Sequence, residues 1–303
     1  MKIGVQVPEV EYVIPWRELR RMVETAERIG LDSVWVGDHL LYRGDGLPER
    51  GPWEAWSTLA AIAAVTERVE LGPLVAATSF HNPAMLAKKA ATIEEISGGR
   101  LILGLGAGWN EAEYRAFGFP FDHRVSRFEE AFTIIRTLLR GGRVDVHGAH
   151  YELDDCVLLP RGPRPQGPPL MVGSIGPRML ALTLPHVDAW NAWFTWFGNS
   201  LEGYRELRAT VDAACLAVGR DPASVERTVA LFVQFPGARG RQLGDLSEPD
   251  VAALPHEPAP LAAALRAFAA EGIGHVQLVL DPITVETVAA LEPVIRELAG
   301  SPT

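Results

Sequence analysis

The sequence of 303 residues predicts a single domain, residues 1–303, with the fold of a closed (β/α)8 TIM barrel. Strand-like and helix-like stretches alternate from one end of the chain to the other, eight of each. Most of the strand-like stretches are short and apolar, which is typical of parallel strands covered by helices. Eight such repeats in a chain of this length favour a closed barrel over an open, doubly wound sheet.

The first half of the chain contains four of the predicted repeats. The first strand has apolar residues at alternate positions, and the helix after it has them at helical spacing up to Gly30, a typical helix stop. Asn82 and Pro83 have the residue types of an N-cap and a first helical position. The predicted strands are 2–7, 33–37, 69–78 and 100–105, and the predicted helical regions are 16–29, 57–66, 82–97 and 111 to about 139.

The second half contains four more repeats and two insertions. The first insertion, residues 141–169, follows the fourth repeat and includes a hairpin pattern that turns at His147 and Gly148. Because a strand pattern returns directly after it, we predict an excursion within the same domain. The second insertion, the loop 236–260, follows the seventh strand. The predicted strands are 170–173, 187–193, 228–235 and 275–280, and the predicted helices begin at 177 or cover 200–218, 261–271 and 284–298.

The composition limits the partners and the compartment. The chain has 28 Lys and Arg against 38 Asp and Glu, a formal charge of −10, so we expect neither a nucleic-acid nor a membrane partner. Cys156 and Cys215 are isolated, and no apolar leader or membrane-length apolar run is present, so we predict a cytoplasmic protein. The histidines have no metal-ligand spacing, and we predict no metal site.

The carboxyl end of the second predicted strand carries the best candidate for proton transfer. Barrel chemistry takes place at the carboxyl ends of the strands, and His39 lies at such an end. An imidazole titrates near neutral pH, which suits an acid or base; a histidine that only binds a loop backbone is an equal alternative. Asp38 before it could cap the following loop. We assign the pair Glu111 and Glu113 to a solvated helix start.

Two further strand ends have the composition of a ligand site. After the fifth strand, Gly173, Ser174, Ile175, Gly176, Pro177 and Arg178 place backbone N–H groups, a hydroxyl and a positive charge at a helix N-terminus. This predicts phosphate binding, the alternative being a turn capped by Ser174. After the fourth strand, Gly106, Ala107 and Gly108 lack the third glycine of a dinucleotide fingerprint. They allow close approach of a flat ligand, with Trp109 and Asn110 following, or form only a tight turn.

A series of motifs spans nearly the whole chain, at residues 52–56, 59–66, 68–75, 81–93, 96–109, 148–151, 173–178 and 272–278. In these motifs the chain resembles the luciferase-like monooxygenase superfamily and, within it, the coenzyme F420-dependent group. It implies a homodimeric, bacterial-luciferase-like barrel with FMN or F420 at the carboxyl-terminal mouth, and it matches His39 to the active-site histidine. The end of the third strand, around Thr78 and Ser79, matches a place where the family often has a non-proline cis peptide. The loop 236–260 departs from the family pattern.

The resemblance also implies the residues of the site. We expect Gln6, Trp190 and Trp193 to line a substrate pocket. The expected cofactor-binding residues are Ala76, Thr78, Ser79, Gly106, Ala107, Gly108, Trp109, Asn110, Gly173, Ser174, Ile175, Gly176, Pro177 and Arg178.

The expected function is hydride transfer between F420 and a small organic substrate, with His39 moving the proton. One alternative is a two-component monooxygenase that uses O2 and reduced FMN. Its partner would be a separate flavin or F420 reductase. Two others are a non-catalytic flavin-binding protein and a cofactor-free lyase acting on phosphorylated substrates.

Overall fold

The strands of the barrel are short segments separated by helices. The computed structural model describes residues 1–44, 46–240 and 251–300. Its strands are β1 (Lys2–Gln6), β2 (Ser33–Val36), β3 (Glu70–Pro73), β4 (Ala76–Ala77), β5 (Leu103–Gly106), β6 (Arg143–His147), β7 (Glu152–Val157), β8 (Leu170–Gly173), β9 (Ala189–Ala192), β10 (Glu226–Gln234) and β11 (Ile273–Asp281).

Nine of these segments form one parallel sheet that curls into a barrel. Their order is β3-β2-β1-β11-β10-β9-β8-β5-β4. The two ends of this order, β3 and β4, are consecutive parts of one barrel strand, the third. The gap is closed by a parallel bridge between Leu71 and Leu101 and by the Ile102 N–H, which donates to the Leu71 carbonyl over 2.8 Å. The predicted (β/α)8 barrel is therefore confirmed.

The helices lie around the outside of the sheet. They are α1 (Trp16–Ile29), α2 (Ala55–Val65), α3 (Pro83–Ile96), α4 (Glu111–Phe117), α5 (Arg124–Leu139), α6 (Pro177–Thr183), α7 (Leu201–Ala217), α8 (Pro258–Ala270), α9 (Val285–Ala289) and α10 (Glu292–Ala299). The predicted end signals hold: Gly30 has a φ of 96° after α1, and the Asn82 side chain accepts the N–H groups of Ala84 and Met85 at the start of α3.

Two predicted helices are each divided in the structure. The region 111–139 forms α4 and α5, because Gly118 ends α4 and Pro120 follows at once. The last helix, predicted at 284–298, forms α9 and α10. Pro293 lies in the first turn of α10, where its missing N–H is tolerated, whereas a continuous helix could not accept it.

The predicted third strand is also divided, and this break changes the site. A non-proline cis peptide bond joins Leu74 and Val75 between β3 and β4. The family resemblance placed such a bond around Thr78 and Ser79, which instead begin a short 3-10 helix, Thr78–Phe80. The expected position was therefore wrong: the bond lies at the strand break, where its two residues face the barrel mouth.

The two insertions lie where the sequence predicts them. Strands β6 and β7 pair antiparallel after α5, as the hairpin pattern indicated. The second insertion follows β10; residues 241–250 of this loop lie outside the described residues.

The barrel interior is partly polar. At its lower end the Ser33 hydroxyl lies 2.7 Å from His275 Nε2, and Trp35 Nε1 donates to the same hydroxyl over 2.7 Å. Within the described ranges, no helix has the length and apolar character needed to cross a lipid bilayer.

Candidate active site

A cavity of about 580 Å³ opens at the carboxyl ends of the strands. Its wall comes from the strand ends and from the loops and first helical turns that follow them, as the barrel geometry requires. The lining residues are Gln6, Glu9, Asp38, His39, Tyr42, Leu74, Val75, Ala77, Phe80, Gly106, Ala107, Gly108, Trp109, Glu113, Gly173, Ser174, Ile175, Gly176, Met179, Asn191, Trp193, Thr195 and Trp196.

His39 lies in this wall with both ring nitrogens close to carboxylates. Its Nδ1 is 2.8 Å from Glu113 Oε1, a hydrogen bond, and its Nε2 is 3.6 Å from Glu9 Oε1, beyond hydrogen-bonding distance. The rings of Tyr42 and Trp109 pack at centroid distances of 5.0 and 5.3 Å. The imidazole is therefore fixed through its Nδ1, and the ring lines the cavity.

The charges around His39 determine its protonation. Burial by itself lowers the pKa of an imidazole, because it disfavours the charged form. Here the negative charge of Glu9, the hydrogen bond and charge of Glu113, and the charge of Asp38 outweigh burial and raise the pKa of His39 to about 9. The side chain is therefore an imidazolium at neutral pH.

Glu113 is buried, contrary to the expectation of a solvated helix start. Its side chain is 0% exposed, whereas Glu111, two residues earlier, lies at the surface in an ion pair with Arg115. The Asn110 side chain donates to Glu113 Oε1 over 2.7 Å, and Glu113 Oε2 has no hydrogen-bond partner in the described part of the chain. A glutamate three residues after a helix N-cap commonly turns back toward it, and that spacing was the available sequence signal.

Glu9 is held by hydrogen bonds from two side chains. The Tyr42 hydroxyl donates to its Oε1 over 2.6 Å, and the Gln6 amide donates to its Oε2 over 2.9 Å. A Cβ on Gly37 would lie 2.6 Å from the Glu9 carboxyl carbon, so the carboxylate packs directly on this backbone. The sequence interpretation missed Glu9, which follows the first strand in a loop without regular pattern.

Asp38 joins the second strand end to the broken third one. Its Oδ2 accepts the N–H of Ala77 over 2.9 Å and lies 3.1 Å from His81 Nε2. The side chain therefore does not cap its own loop, the possibility that the sequence suggested, but fixes β4 across the mouth. His81 in turn lies 3.1 Å from Trp56 Nε1, which ties the strand end to α2.

Another part of the cavity wall is made of backbone and small side chains. A Cβ on Gly106 would lie 2.9 Å from Val75 Cγ2, so the fourth strand end and the strand break touch with no space for a side chain. Gly108 has a φ of 77°, and a Cβ there would lie 1.9 Å from the Tyr114 hydroxyl. Ala77 and Ala107 complete a wall with little relief, which fits the face of a fused aromatic ring system.

The turn after β8 offers polar groups to the same cavity. The N–H groups of Ile175 and Gly176 have no hydrogen-bond partner within the described ranges, and a Cβ on Gly176 would meet nothing within 4 Å. Ser174 also lines the cavity. These donors would suit the polar tail of a bound cofactor.

Several predicted site residues lie outside the cavity wall. Ala76 and Trp190 point outward because they alternate with the inward-facing Ala77 and Asn191. Trp190 is fully buried, and its Nε1 donates to the Ser174 carbonyl over 2.8 Å, so it supports the turn from behind.

Other predicted site residues form structural contacts instead. The Thr78 hydroxyl donates to the Gly106 carbonyl over 3.2 Å, and Ser79 is buried in the 3-10 helix. The Asn110 amide donates to the Leu41 carbonyl and to Glu113. Pro177 lies behind the turn, and Arg178 is paired with Glu129 over 2.9 Å at the surface, so the predicted positive charge does not reach the cavity.

The remaining predicted site residues do line the cavity, together with others that sequence reasoning missed. Gln6, His39, Trp193, the segment Gly106–Trp109 and the turn 173–176 are at the wall. The lining residues outside the predicted set are Glu9, Asp38, Tyr42, Leu74, Val75, Ala77, Phe80, Glu113, Met179, Asn191, Thr195 and Trp196. In the described part of the chain, no group of three or more His, Cys, Asp or Glu could hold a metal ion.

Comparison with known proteins identifies the family. The family described as luciferase-like monooxygenase matches residues 1–236. The chain belongs to this family. An F420-dependent glucose-6-phosphate dehydrogenase of Amycolatopsis mediterranei is 32% identical over 226 residues, which cover 72% of this chain and 65% of that protein. A 5,10-methylenetetrahydromethanopterin reductase of Archaeoglobus fulgidus is 34% identical over 183 residues, 60% of this chain and 50% of that protein.

The chain thus spans less than two thirds of the length of these curated relatives. Among solved structures, an F420-dependent secondary alcohol dehydrogenase in complex with an F420-acetone adduct has a TM-score of 0.80 at 19% identity and covers 98% of each chain. At this identity the likeness shows a shared fold, and it agrees with the closed barrel of this luciferase-like protein.

Proposed function

We propose that this protein is an F420-dependent oxidoreductase that acts on a small organic substrate. One observation carries the proposal: a charged imidazole lines the same cavity as a flat, apolar stretch of wall built around Val75 and Gly106. The curated relatives described above are F420-dependent by name or act on a tetrahydromethanopterin substrate. When bound, the deazaflavin supplies two electrons and one hydrogen at a ring carbon.

The residues of the chain have separate tasks in this proposal. Val75, Ala77 and Gly106 would support one face of the ring, and the N–H groups of Ile175 and Gly176 with Ser174 would hold the tail. His39 Nε2 would exchange a proton with the substrate opposite the ring. The apolar side chains of the mouth, including Trp193, would exclude water and set the substrate's orientation.

Cofactor titration tests the proposal directly. The purified protein is titrated with F420 and, separately, with FMN, and binding is followed by fluorescence and by calorimetry. We expect saturable binding of F420 that is tighter than that of FMN. Binding of FMN without binding of F420 would overturn the proposal, and binding of neither would favour a cofactor-free lyase.

A two-component monooxygenase that uses reduced FMN and O2 is the second candidate, because the matching family carries the monooxygenase name. It needs the same flat wall and the same histidine. Oxygen consumption separates the two when it is compared with the oxidation of free reduced FMN, since the protein and its substrate add to that background only if this second candidate is correct. We also propose, from the family resemblance, a homodimer in the cytoplasm; light scattering measures the assembly.

A further inference from the structure

The cluster around His39 has an excess of negative charge. Three carboxylates line the cavity near the ring: Glu9 from the loop after β1, Asp38 from the end of β2, and Glu113 from α4. Glu9 and Glu113 are 5% and 0% exposed. The ring of Tyr42 also packs on the imidazole, at a centroid distance of 5.0 Å. Buried carboxylates need a compensating cation, so they favour a proton on each ring nitrogen.

The two carboxylates act on different atoms of the ring. Glu113 accepts the Nδ1 proton in a hydrogen bond of 2.8 Å and fixes the plane of the ring. Glu9 lies 3.6 Å from Nε2, close enough to attract the charge but too far to take up the N–H in a hydrogen bond. Glu9 therefore does not take up the Nε2 proton, and because the His39 ring lines the cavity, a substrate atom bound there can receive it.

We propose that Glu9 and Glu113 are positioning residues that keep His39 doubly protonated, so that the site works as a reductase of an uncharged carbonyl compound. This inference rests on the proposed function. The substrate's carbonyl carbon takes two electrons and one hydrogen from the reduced deazaflavin, and its oxygen takes the Nε2 proton. The products are an alcohol, the oxidised deazaflavin and a neutral His39, which regains its proton from solvent. An anionic substrate would meet the carboxylates of the wall, so the preferred carbonyl compound is neutral.

A titration of His39 in the cofactor-free protein tests the positioning role without any activity. The ring is observed by NMR of ¹⁵N- and ¹³C-labelled protein, and its signals are assigned by their loss in H39Q. We expect a midpoint near the pKa of about 9 in the wild type. Glu113→Gln and Glu9→Gln should each lower it by about one unit or more, because each removes an opposite charge close to the ring.

Glu111→Gln is the matched control. It makes the same change in the same helix turn, but the side chain lies at the surface with Arg115 and does not contact His39. Its midpoint should equal that of the wild type. A wild-type midpoint close to that of free histidine, or equal midpoints in E111Q, E113Q and E9Q, would overturn the inference. Circular dichroism checks that each variant is folded, and E9Q provides the test if E113Q is not.

The direction of reaction is tested with neutral ketones and aldehydes plus reduced F420, against the corresponding alcohols plus oxidised F420. We expect faster reduction at neutral pH, declining as the pH rises through the His39 midpoint, and a decline at lower pH in E113Q than in E111Q. Faster alcohol oxidation, or a preference for phosphorylated or carboxylated substrates, would contradict the assignment as a reductase of neutral carbonyl compounds. If F420 does not bind at all, the proposed function fails and the reductase assignment fails with it, whereas the NMR result on Glu9 and Glu113 still decides the positioning role.

Discussion

The imidazole of His39 gains its reactivity from neighbours that are distant in sequence. Glu9 lies 30 residues before it and Glu113 lies 74 residues after it, yet both carboxylates come within 4 Å of the ring. Each is buried, so each depends on the imidazolium charge as much as the imidazolium depends on them. The three side chains therefore form one electrostatic unit.

Replacing His39 by Gln should separate turnover from binding. The amide cannot transfer a proton, so we expect turnover to fall by about 100-fold or more, the usual contribution of a positioned acid or base. F420 affinity should stay within about threefold, because the flat wall and the turn 173–176 are unchanged. Steady-state kinetics and a binding titration on the same preparation check this. Equal losses in both would instead assign His39 to cofactor binding.

Gly176 offers a test of how closely a ligand approaches the turn after β8. A Cβ at this position meets no protein atom within 4 Å, and the backbone φ of −67° suits alanine. Gly176→Ala should therefore keep the thermal midpoint of the free protein. If a cofactor tail lies against the Gly176 N–H, its affinity should fall about tenfold, or ~1.4 kcal/mol. Unchanged affinity would place the tail elsewhere.

At the level of elements, the break between β3 and β4 in the third barrel strand shapes the cavity. In a continuous strand over residues 69–78, successive side chains would point alternately to the barrel interior and to the surrounding helices. The break instead places Leu74, Val75 and Ala77 on the cavity wall, and Asp38 holds β4 in position through the Ala77 N–H. The carboxyl end of this strand therefore contributes consecutive residues to the cavity wall.

A buried carboxylate is one of the groups that attach the first insertion to the barrel. Arg164, after the hairpin, binds both oxygens of Glu94 on α3 and the Leu101 carbonyl before β5. Glu94 is 0% exposed. The insertion therefore packs on the outside of the barrel beside its fourth strand, β5.

Arg164→Met should destabilise the fold strongly. It leaves the Glu94 carboxylate buried without its cation, and breaking a buried pair in this way costs about 3 kcal/mol or more. Urea unfolding followed by circular dichroism measures the loss. Arg115→Met, which breaks the exposed pair with Glu111, is the control and should cost under ~0.5 kcal/mol. Similar losses of unfolding free energy in the two variants would mean that the buried Glu94 pair stabilises the fold no more than the exposed Glu111 pair does.

Across the whole molecule, two histidines have opposite pKa shifts at the two ends of the barrel. Burial lowers the pKa of His275 to about 3, and the positive charges of Lys2 and the N-terminus act in the same direction. At the upper end, carboxylates raise the pKa of His39. One histidine is therefore neutral and the other charged at pH 7, and the stability of the fold depends on both.

The pH dependence of unfolding should show both histidines. A raised pKa stabilises the fold below the unfolded value and loses its contribution as pH rises, so the His39 contribution should disappear through about pH 9. A lowered histidine pKa acts in reverse: unfolded chains bind a proton below ~6.5, so stability falls from there toward about pH 3.

Urea unfolding at a series of pH values measures these effects. Compared with the wild type, H39Q should lack ~2 kcal/mol of the fall between pH 7 and 10, and H275Q should lack part of the fall below pH 6.5. A wild-type curve that H39Q reproduces above pH 7 would show that the imidazole is not charged in the folded protein.

Local patterns in the sequence were sufficient to predict the barrel, the position of nearly every element and the strand ends that form the mouth. These follow from hydrophobic periodicity and from end signals such as Gly30 and Asn82, which depend only on near neighbours in the chain. For the same reason, His39 and the segments around Gly106 and Gly173 could be assigned to the barrel mouth from the sequence.

Which side chains meet at the mouth depends on the tertiary structure. Trp190 and Arg178 belong to the right segments but point away, because strand alternation and an ion pair with Glu129 fix their directions. Glu113 looks like a surface residue beside Glu111, and Glu9 lies in an irregular loop. The closure of the barrel brings both to His39, since contacts between distant segments depend on how the strand ends converge and not on local pattern.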